Sequence, residues 1–268
     1  MNAVPKVLSV AGSDPSGGAG IQGDLKTFGA LGCYGMAAIT ALTAQNTRGV
    51  TAVHVPPADF VAAEIDAIFA DIGVDAVKIG MLANAAIVES VGARLAHWQA
   101  RNIVLDPVLV ATSGDSLGAP GVVEAMLLRL LPLAAVVTPN LQEAGRLAGV
   151  ETPSDPNSMR RVGAAILARG ARAVLMKGGH LEGDALDLLV TPSGERSYAA
   201  PRVPTRNTHG TGCTLSSAIA AMLARGLALE EAVDKAKAYL TTALQTADRL
   251  AVGGGHGPVD HFHGRAFD

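Results

Sequence analysis

The sequence predicts an α/β chain built on a largely parallel sheet with helices on both faces. Short β-branched runs alternate with longer helical patterns over most of the 268 residues. Repeated β-α alternation of this kind gives a parallel sheet covered on both sides. Apolar residues make up 49% and charged residues 17%, enough to bury a large core and too apolar for disorder. Aromatics are only 3%, so the core must be Ala, Val, Leu and Ile. One domain is expected, because no repeat, low-complexity tract or linker interrupts the pattern and single α/β domains of this size are common.

The elements follow in order. Val7–Ala11 reads as a strand, Ala19–Leu31 as a helix and Tyr34–Leu42 as an apolar strand. Val50–Val55 is a further short strand, with Gln45-Asn46-Thr47-Arg48-Gly49 between. Ala58–Ile72 has helical periodicity that puts Phe60, Ile65, Ile68 and Phe69 on one face. Strand Ala76–Ile79, helix Ala85–Ala100, strand Ile103–Leu105 and helix Val122–Leu131 come next. Strand Ala135–Val137, helices Leu141–Leu147 and Ser158–Ala168, and strand Ala173–Met176 complete the alternation. Leu186–Val190 and Glu195–Ala199 flank Thr191-Pro-Ser-Gly194 as a hairpin. Two helices close the chain, Cys213–Ala224 and Glu231 to about Leu250.

Charge and cysteine usage exclude several classes. Net charge is −3 and no basic stripe occurs, which argues against nucleic-acid binding. Cys33 and Cys213 are too few and too far apart for a disulfide framework, so a reduced cytoplasm is expected. The first residues lack the regions of a signal peptide, and no apolar stretch reaches about 18–20 residues, so no membrane span is expected.

Gly18-Ala-Gly20-Ile-Gln-Gly23 matches the dinucleotide fingerprint, but no Asp or Glu occurs between Asp24 and Asp59 to hold a ribose. A glycine-lined loop over another ligand is the better reading, with a plain flexible turn as the alternative. Asn207-Thr-His-Gly210-Thr211-Gly212-Cys213 precedes the charge-free stretch Thr214–Leu223. Glycines that turn N–H groups inward at a helix N-terminus make an anion site. A phosphate gathering charge during transfer would be stabilised there. Cys213 falls in the first turn, where a thiol pKa tends to drop. The plain alternative is an ordinary helix start with a buried cysteine. Asp106, Asn140, Glu143 and Lys177 follow three predicted strands, and strand carboxyl ends form the ligand crevice of open α/β sheets. Asp and Glu could hold hydrated Mg²⁺, and Lys177 could meet a phosphate. His256, His261 and His263 are read as structural or exposed, since no third ligand accompanies His261-x-His263. Trp98 and Cys33 are read as packing residues.

These stretches, together with Ala11–Gln22, Ala44–Gly49, Lys78–Met81, Leu105–Val108, Thr138–Glu143 and Met176–His180, resemble the hydroxymethylpyrimidine/phosphomethylpyrimidine kinases of thiamine biosynthesis in the ribokinase-like superfamily. They run in the family's order over nearly the whole chain. The resemblance implies a ribokinase-like three-layer α/β/α sandwich, ATP and Mg²⁺, a small pyrimidine alcohol and its phosphate as substrates, and a cytoplasmic homodimer. It implies that Gln45 binds the aminopyrimidine, with Gly12, Ala19, Met81 and Val108 around the ring. Cys213 would stand where related sugar kinases carry an aspartate base, within the Gly210–Gly212 anion site. Asp106 and Glu143 would organise Mg²⁺, and Lys177 would contact the transferring phosphate. Asn140, Glu143, Lys177, Thr211 and Lys237 would serve the nucleotide. The sequence departs at Thr112, where lysine is expected; loss of a phosphate anchor would weaken the second phosphorylation. A pyridoxal kinase of the same fold and a non-catalytic pyrimidine-binding regulator are the alternatives.

Overall fold

The computed structural model describes residues 3–109, 121–179 and 184–265. Nine strands form one sheet. They are β1 (Lys6–Gly12), β2 (Tyr34–Asn46), β3 (Gly49–His54), β4 (Ala76–Ile79), β5 (Ile103–Leu105), β6 (Val136–Val137), β7 (Val174–Gly178), β8 (Ala185–Thr191) and β9 (Gly194–Ala200). The helices are α1 (Gly20–Ala30), α2 (Ala58–Asp71), α3 (Ala85–His97), α4 (Val122–Arg129), α5 (Leu141–Ala148), α6 (Pro156–Ala168), α7 (Thr211–Ala224) and α8 (Leu229–Gln245). Strand order is β3-β2-β1-β4-β5-β6-β7-β8-β9. The pairs from β2 through β7 are parallel, and β3, β8 and β9 join antiparallel.

Side chains alternate across the strands and divide the core into two layers. Leu8, Val10, Val77, Ile79, Ile103 and Leu105 meet residues of α2–α6 on one face. Val7, Ala76, Val104, Val136 and Leu175 meet α1, α7 and α8 on the other. Helix α7 is buried continuously from Thr214 to Leu223, as a helix apolar all round must be. Several helix starts are capped by short polar side chains. Asn84 accepts from Ile87 N–H at 2.9 Å, and Asn140 and Asp155 head capping boxes, leaving fewer orphan N–H groups.

Three expectations need correction. β2 continues to Asn46, so Gln45 lies in a strand and not in a connecting loop. The hairpin partner β3 supplies the backbone pairing that its sequence alone did not reveal. Phe60 is exposed, while Val61 and Ile65 carry the buried face of α2; residue 60 lies about 100° round the helix from residue 61. The last helix ends at Gln245, and Ala247–Leu250 forms a separate 3-10 turn.

Chain order fixes where a ligand can enter. The chain leaves β1 for β2 and β3 on one side, then returns to place β4 on the other. Such a reversal opens a crevice at the carboxyl ends of the flanking strands. Gly12 ends β1 and Met81 follows β4, and a Cβ at Gly12 would lie 3.2 Å from Met81 Sδ. No helix among the described residues is long and apolar enough to cross a membrane.

Candidate active site

Successive strand ends deliver charged groups to one edge of the sheet. Asp106 follows β5 and is buried. Its carboxylate accepts from Lys177 Nζ at 2.7 Å, Ser216 Oγ at 3.1 Å and Thr138 Oγ1 at 3.3 Å. Lys177, in β7, is held beside the start of α5 because its N–H donates to Pro139 O at 2.9 Å. Asn140 caps that helix, and the Glu143 carboxylate returns to accept from Asn140 N–H at 2.8 Å. Asp106, Glu143 and Lys177 therefore form one charged cluster.

Electrostatics within the cluster are unequal. Burial works to raise the Asp106 carboxyl, but the Lys177 and Lys78 ammoniums outweigh it and hold it below the usual range. Burial lifts Glu143 above its usual range, and the negative charge of Asp106 adds to this against Lys177. Burial opposes the Lys177 charge, but Asp106 and Glu143 outweigh it and keep it protonated. A divalent cation fits this imbalance: two carboxyls share one ammonium, and Mg²⁺ characteristically takes one or two carboxylates plus phosphate and water.

The glycine-rich turn before α7 lies against this cluster. A Cβ at Gly212 would sit 3.2 Å from Lys177 Nζ and 3.8 Å from Asp106 Oδ2. Gly210 has φ of +81°, and a Cβ there would overlap the Gly18 carbonyl oxygen. The turn thus packs backbone to backbone on the loop that follows β1. Asp14 fastens the two: His209 Nε2 is 2.7 Å from Asp14 Oδ2, which also accepts from Ala19 N–H at 2.8 Å. Burial works to raise the Asp14 carboxyl, but hydrogen bonds from His209 and Ser16 bring it down to about 2. Thr211 begins α7 and its hydroxyl donates to Thr208 O.

The expected ring pocket is assembled in part. Thr43 Oγ1 donates to Ser13 O at 2.8 Å and to Gln45 Oε1 at 3.2 Å. That brings β2 and its Gln45 onto the loop containing Ala19. Val108 is half-buried two residues past Asp106, its N–H turned back to Asp106 O at 2.8 Å. Lys237 takes a different position: its Nζ is bonded to Asp187 at 2.5 Å and to Ala185 O at 2.9 Å, on β8. Asp187 in turn accepts from Gly178 N–H at 3.1 Å, next to Lys177. Thr112 lies outside the described residues.

Two features differ from the sequence reading. Cys213 does not show the lowered thiol expected from a helix start. Burial pushes it up, and Lys78 and a hydrogen bond from Gly20 N–H only partly counter this. The second feature, missed in the sequence, is a fully buried ion pair. Lys78 Nζ lies 2.8 and 2.9 Å from the Asp24 carboxylate oxygens, and both side chains are 0% exposed. The signal was present: Lys78 interrupts an apolar strand buried on both faces, where a charge requires a partner.

Solved structures identify the class. The pyridoxal kinase from Staphylococcus aureus in complex with AMP-PCP matches with a TM-score of 0.91 and 36% identity, covering 100% of this chain and 97% of that one. The fold is that of the ribokinase-like small-molecule kinases. Within that class the chain belongs to the phosphomethylpyrimidine kinase family, whose profile matches residues 14–260. A hydroxymethylpyrimidine/phosphomethylpyrimidine kinase of Salmonella typhimurium is 54% identical over 96% of this chain and 97% of its own. A thiamine biosynthesis bifunctional protein of Geobacter sulfurreducens is 51% identical over 95% of this chain, which spans 52% of that protein.

Proposed function

We propose that this chain, acting as one kinase domain, phosphorylates 4-amino-5-hydroxymethyl-2-methylpyrimidine and then its monophosphate with Mg-ATP, a step of thiamine biosynthesis. The carrying observation is that Gly212 abuts both Lys177 and Asp106. An anion nest and a charged pair at neighbouring strand ends suit phosphoryl transfer, where positioning and charge stabilisation dominate.

This reading gives each residue the role that the family resemblance implies. Gln45 pairs the ring nitrogen and amino group, with Gly12, Ala19, Met81 and Val108 around the ring. N–H groups at Gly210–Cys213 receive the transferring phosphoryl oxygens, and Lys177 neutralises their charge. Asp106 and Glu143 hold hydrated Mg²⁺, which when bound draws charge from phosphate oxygens. Cys213, in the thiolate form that burial disfavours, takes the alcohol proton while oxygen bonds phosphorus and the bond from phosphorus to the ADP oxygen breaks. Asn140 and Thr211 serve the nucleotide. Lys237 acts on it through the Asp187–Gly178 link beside Lys177.

A cytoplasmic homodimer completes the reading. β3 is an edge strand, and Leu42, Val53 and Val55 on its hairpin are exposed; an uncovered apolar edge calls for a partner. Both cysteines are free, as in a reducing compartment.

Mass spectrometry of products from the pyrimidine alcohol plus ATP tests the function. One and two added phosphates are expected in sequence. An unmodified alcohol would overturn it. A higher kcat/KM on pyridoxal would transfer the assignment to the class of the S. aureus neighbour, and absence of ATP consumption would leave a binding protein.

A further inference from the structure

Gln45 stands on a weakly supported part of the sheet. β1 pairs with β2 only as far as Gly12 and Ala41. Beyond that point Leu42–Asn46 find their strand partner in β3, an edge strand exposed over most of its length. A two-stranded hairpin by itself is marginally stable, whereas a side chain that reads a ring must be held to within about 0.5 Å. Near the base, Thr43 Oγ1 ties the hairpin to Ser13 O at 2.8 Å. The tip needs a tie of its own, and the stretch Gly253–Gly257, near the end of the chain, supplies one.

Glycines let this stretch lie directly on the hairpin turn. Gly255 N–H donates to Thr47 Oγ1 at 3.2 Å, and His256 N–H donates to Thr47 O at 2.9 Å. A Cβ at Gly255 would overlap the Thr47 carbonyl oxygen, and one at Gly253, whose φ is +71°, would overlap the Thr47 hydroxyl. Two residues beyond Gly255 the same stretch grips the turn before α7. Gly257 N–H donates to Asn207 Oδ1 at 3.1 Å, and Gly257 O accepts from His209 N–H at 3.0 Å. The chain is then fixed to the core: Val259 is buried in the α7/α8 layer, and Asp260 N–H donates to Ala243 O at 3.0 Å.

We propose that Thr47 and Gly255 are positioning residues for the pyrimidine: the Gly253–Gly257 stretch ties the tip of the β2–β3 hairpin to the Asn207–Cys213 turn and so sets Gln45 at a fixed distance from the phosphate nest. This rests on the reading of Gln45 as the ring-binding residue. The alcohol oxygen must reach phosphorus while the ring stays on Gln45, and a spacing error of about 1 Å between the two ends of a substrate is costly. The tie acts at the tip alone. Leu42 and Val53, nearer the base of the hairpin, remain exposed, so the edge that calls for a second subunit is left open.

The test measures, on the full chain, the affinities for the pyrimidine alcohol and for Mg-ADP by calorimetry. Gly255→Ala is expected to weaken alcohol binding about tenfold while Mg-ADP binding changes less than about twofold. Gly255→Ala/Gln45→Leu is expected to bind the alcohol no more weakly than Gln45→Leu alone, because the tie acts through Gln45. Should Gly255→Ala fail to fold by circular dichroism, Thr47→Val carries the test, since it removes the hydroxyl and keeps the carbonyl. Its alcohol affinity should fall about threefold, and Thr47→Ser should restore it. Unchanged alcohol affinity in these variants, equal losses for alcohol and Mg-ADP, or losses that add to that of Gln45→Leu overturn the inference and leave Gln45 in its role. No loss in Gln45→Leu itself removes the reading of Gln45 and the inference with it.

Discussion

Gly210 and Gly18 meet backbone to backbone: a Cβ on Gly210 would overlap the Gly18 carbonyl oxygen, and the Gly210 φ of +81° is itself one that other residues avoid. Gly210→Ala should therefore destabilise the protein by about 1–3 kcal/mol and abolish transfer. Gly212→Ala displaces only the flexible head of Lys177, 3.2 Å from the added carbon. It should lower kcat with a stability change under about 1 kcal/mol. Urea unfolding and steady-state kinetics on both variants check this; equal stability loss at the two positions would contradict the packing argument.

Gln45 should select the ring. Its amide offers donors and an acceptor to an aminopyrimidine edge, and Thr43 already donates to its Oε1. Gln45→Leu should cost about 1–3 kcal/mol of pyrimidine affinity, since buried polar partners are left unpaired. Calorimetry with the pyrimidine alcohol measures it, and unchanged affinity would remove Gln45 from the pocket.

Cys213→Ala should reduce kcat far more on the alcohol than on the monophosphate. The alcohol needs a proton acceptor, and Cys213 in the first turn of α7 is the candidate. A monoester carries its own negative charge, with a second pKa of about 6, and depends on positioning. Separate assays at saturating Mg-ATP decide the point. Equal losses on both substrates would indicate damage to the nest instead.

Acid should unfold the protein in two stages. Burial pushes His261 down to about 4, and its ring meets Thr214 Oγ1 at 3.2 Å. An unfolded imidazole titrates near about 6.5. The unfolded state therefore takes its proton first, and stability falls as pH drops from about 6.5 to about 4. The lowered Asp14 has the carboxylate sign. Its contribution is present above about pH 4 and is lost as pH falls toward about 2. Urea midpoints over both ranges should show His261→Gln flattening the upper stage and Asp14→Asn the lower. Parallel curves for variant and parent would refute the assignment.

The strand and helix alternation was legible because each element carries its own period and its own punctuation. Gly49 after Asn46, for instance, marked a turn correctly, yet the residues before it were read as loop. Half-buried Thr43 and Gln45 alternate with exposed Ala44 and Asn46 on a projecting hairpin, so this stretch lacks the apolar signature of a buried strand. Asp106, Glu143 and Lys177 were legible as a group since strand ends in a parallel sheet share an edge. Lys78 and Asp24 were not, because 54 residues separate them and no local pattern announces a long-range pair. The thiol direction at Cys213 was misjudged for a similar reason: a helix start is local, while desolvation depends on everything packed round the sulfur.

The Asp14–His209 fastening has a consequence for how the protein is made. Its two halves are 195 residues apart in sequence. At about 5–20 residues per second, the first half leaves the ribosome roughly 10–40 s before the second. During that interval β1, β2 and β4 can pair, but α7 has not been synthesised. The apolar surface around Val7, Ala76 and Val104 must wait with only α1 to cover part of it. Catalytic competence is thus deferred until nearly the whole chain has emerged, and a nascent chain halted before α7 presents chaperones with a half-covered sheet face instead of a slow enzyme.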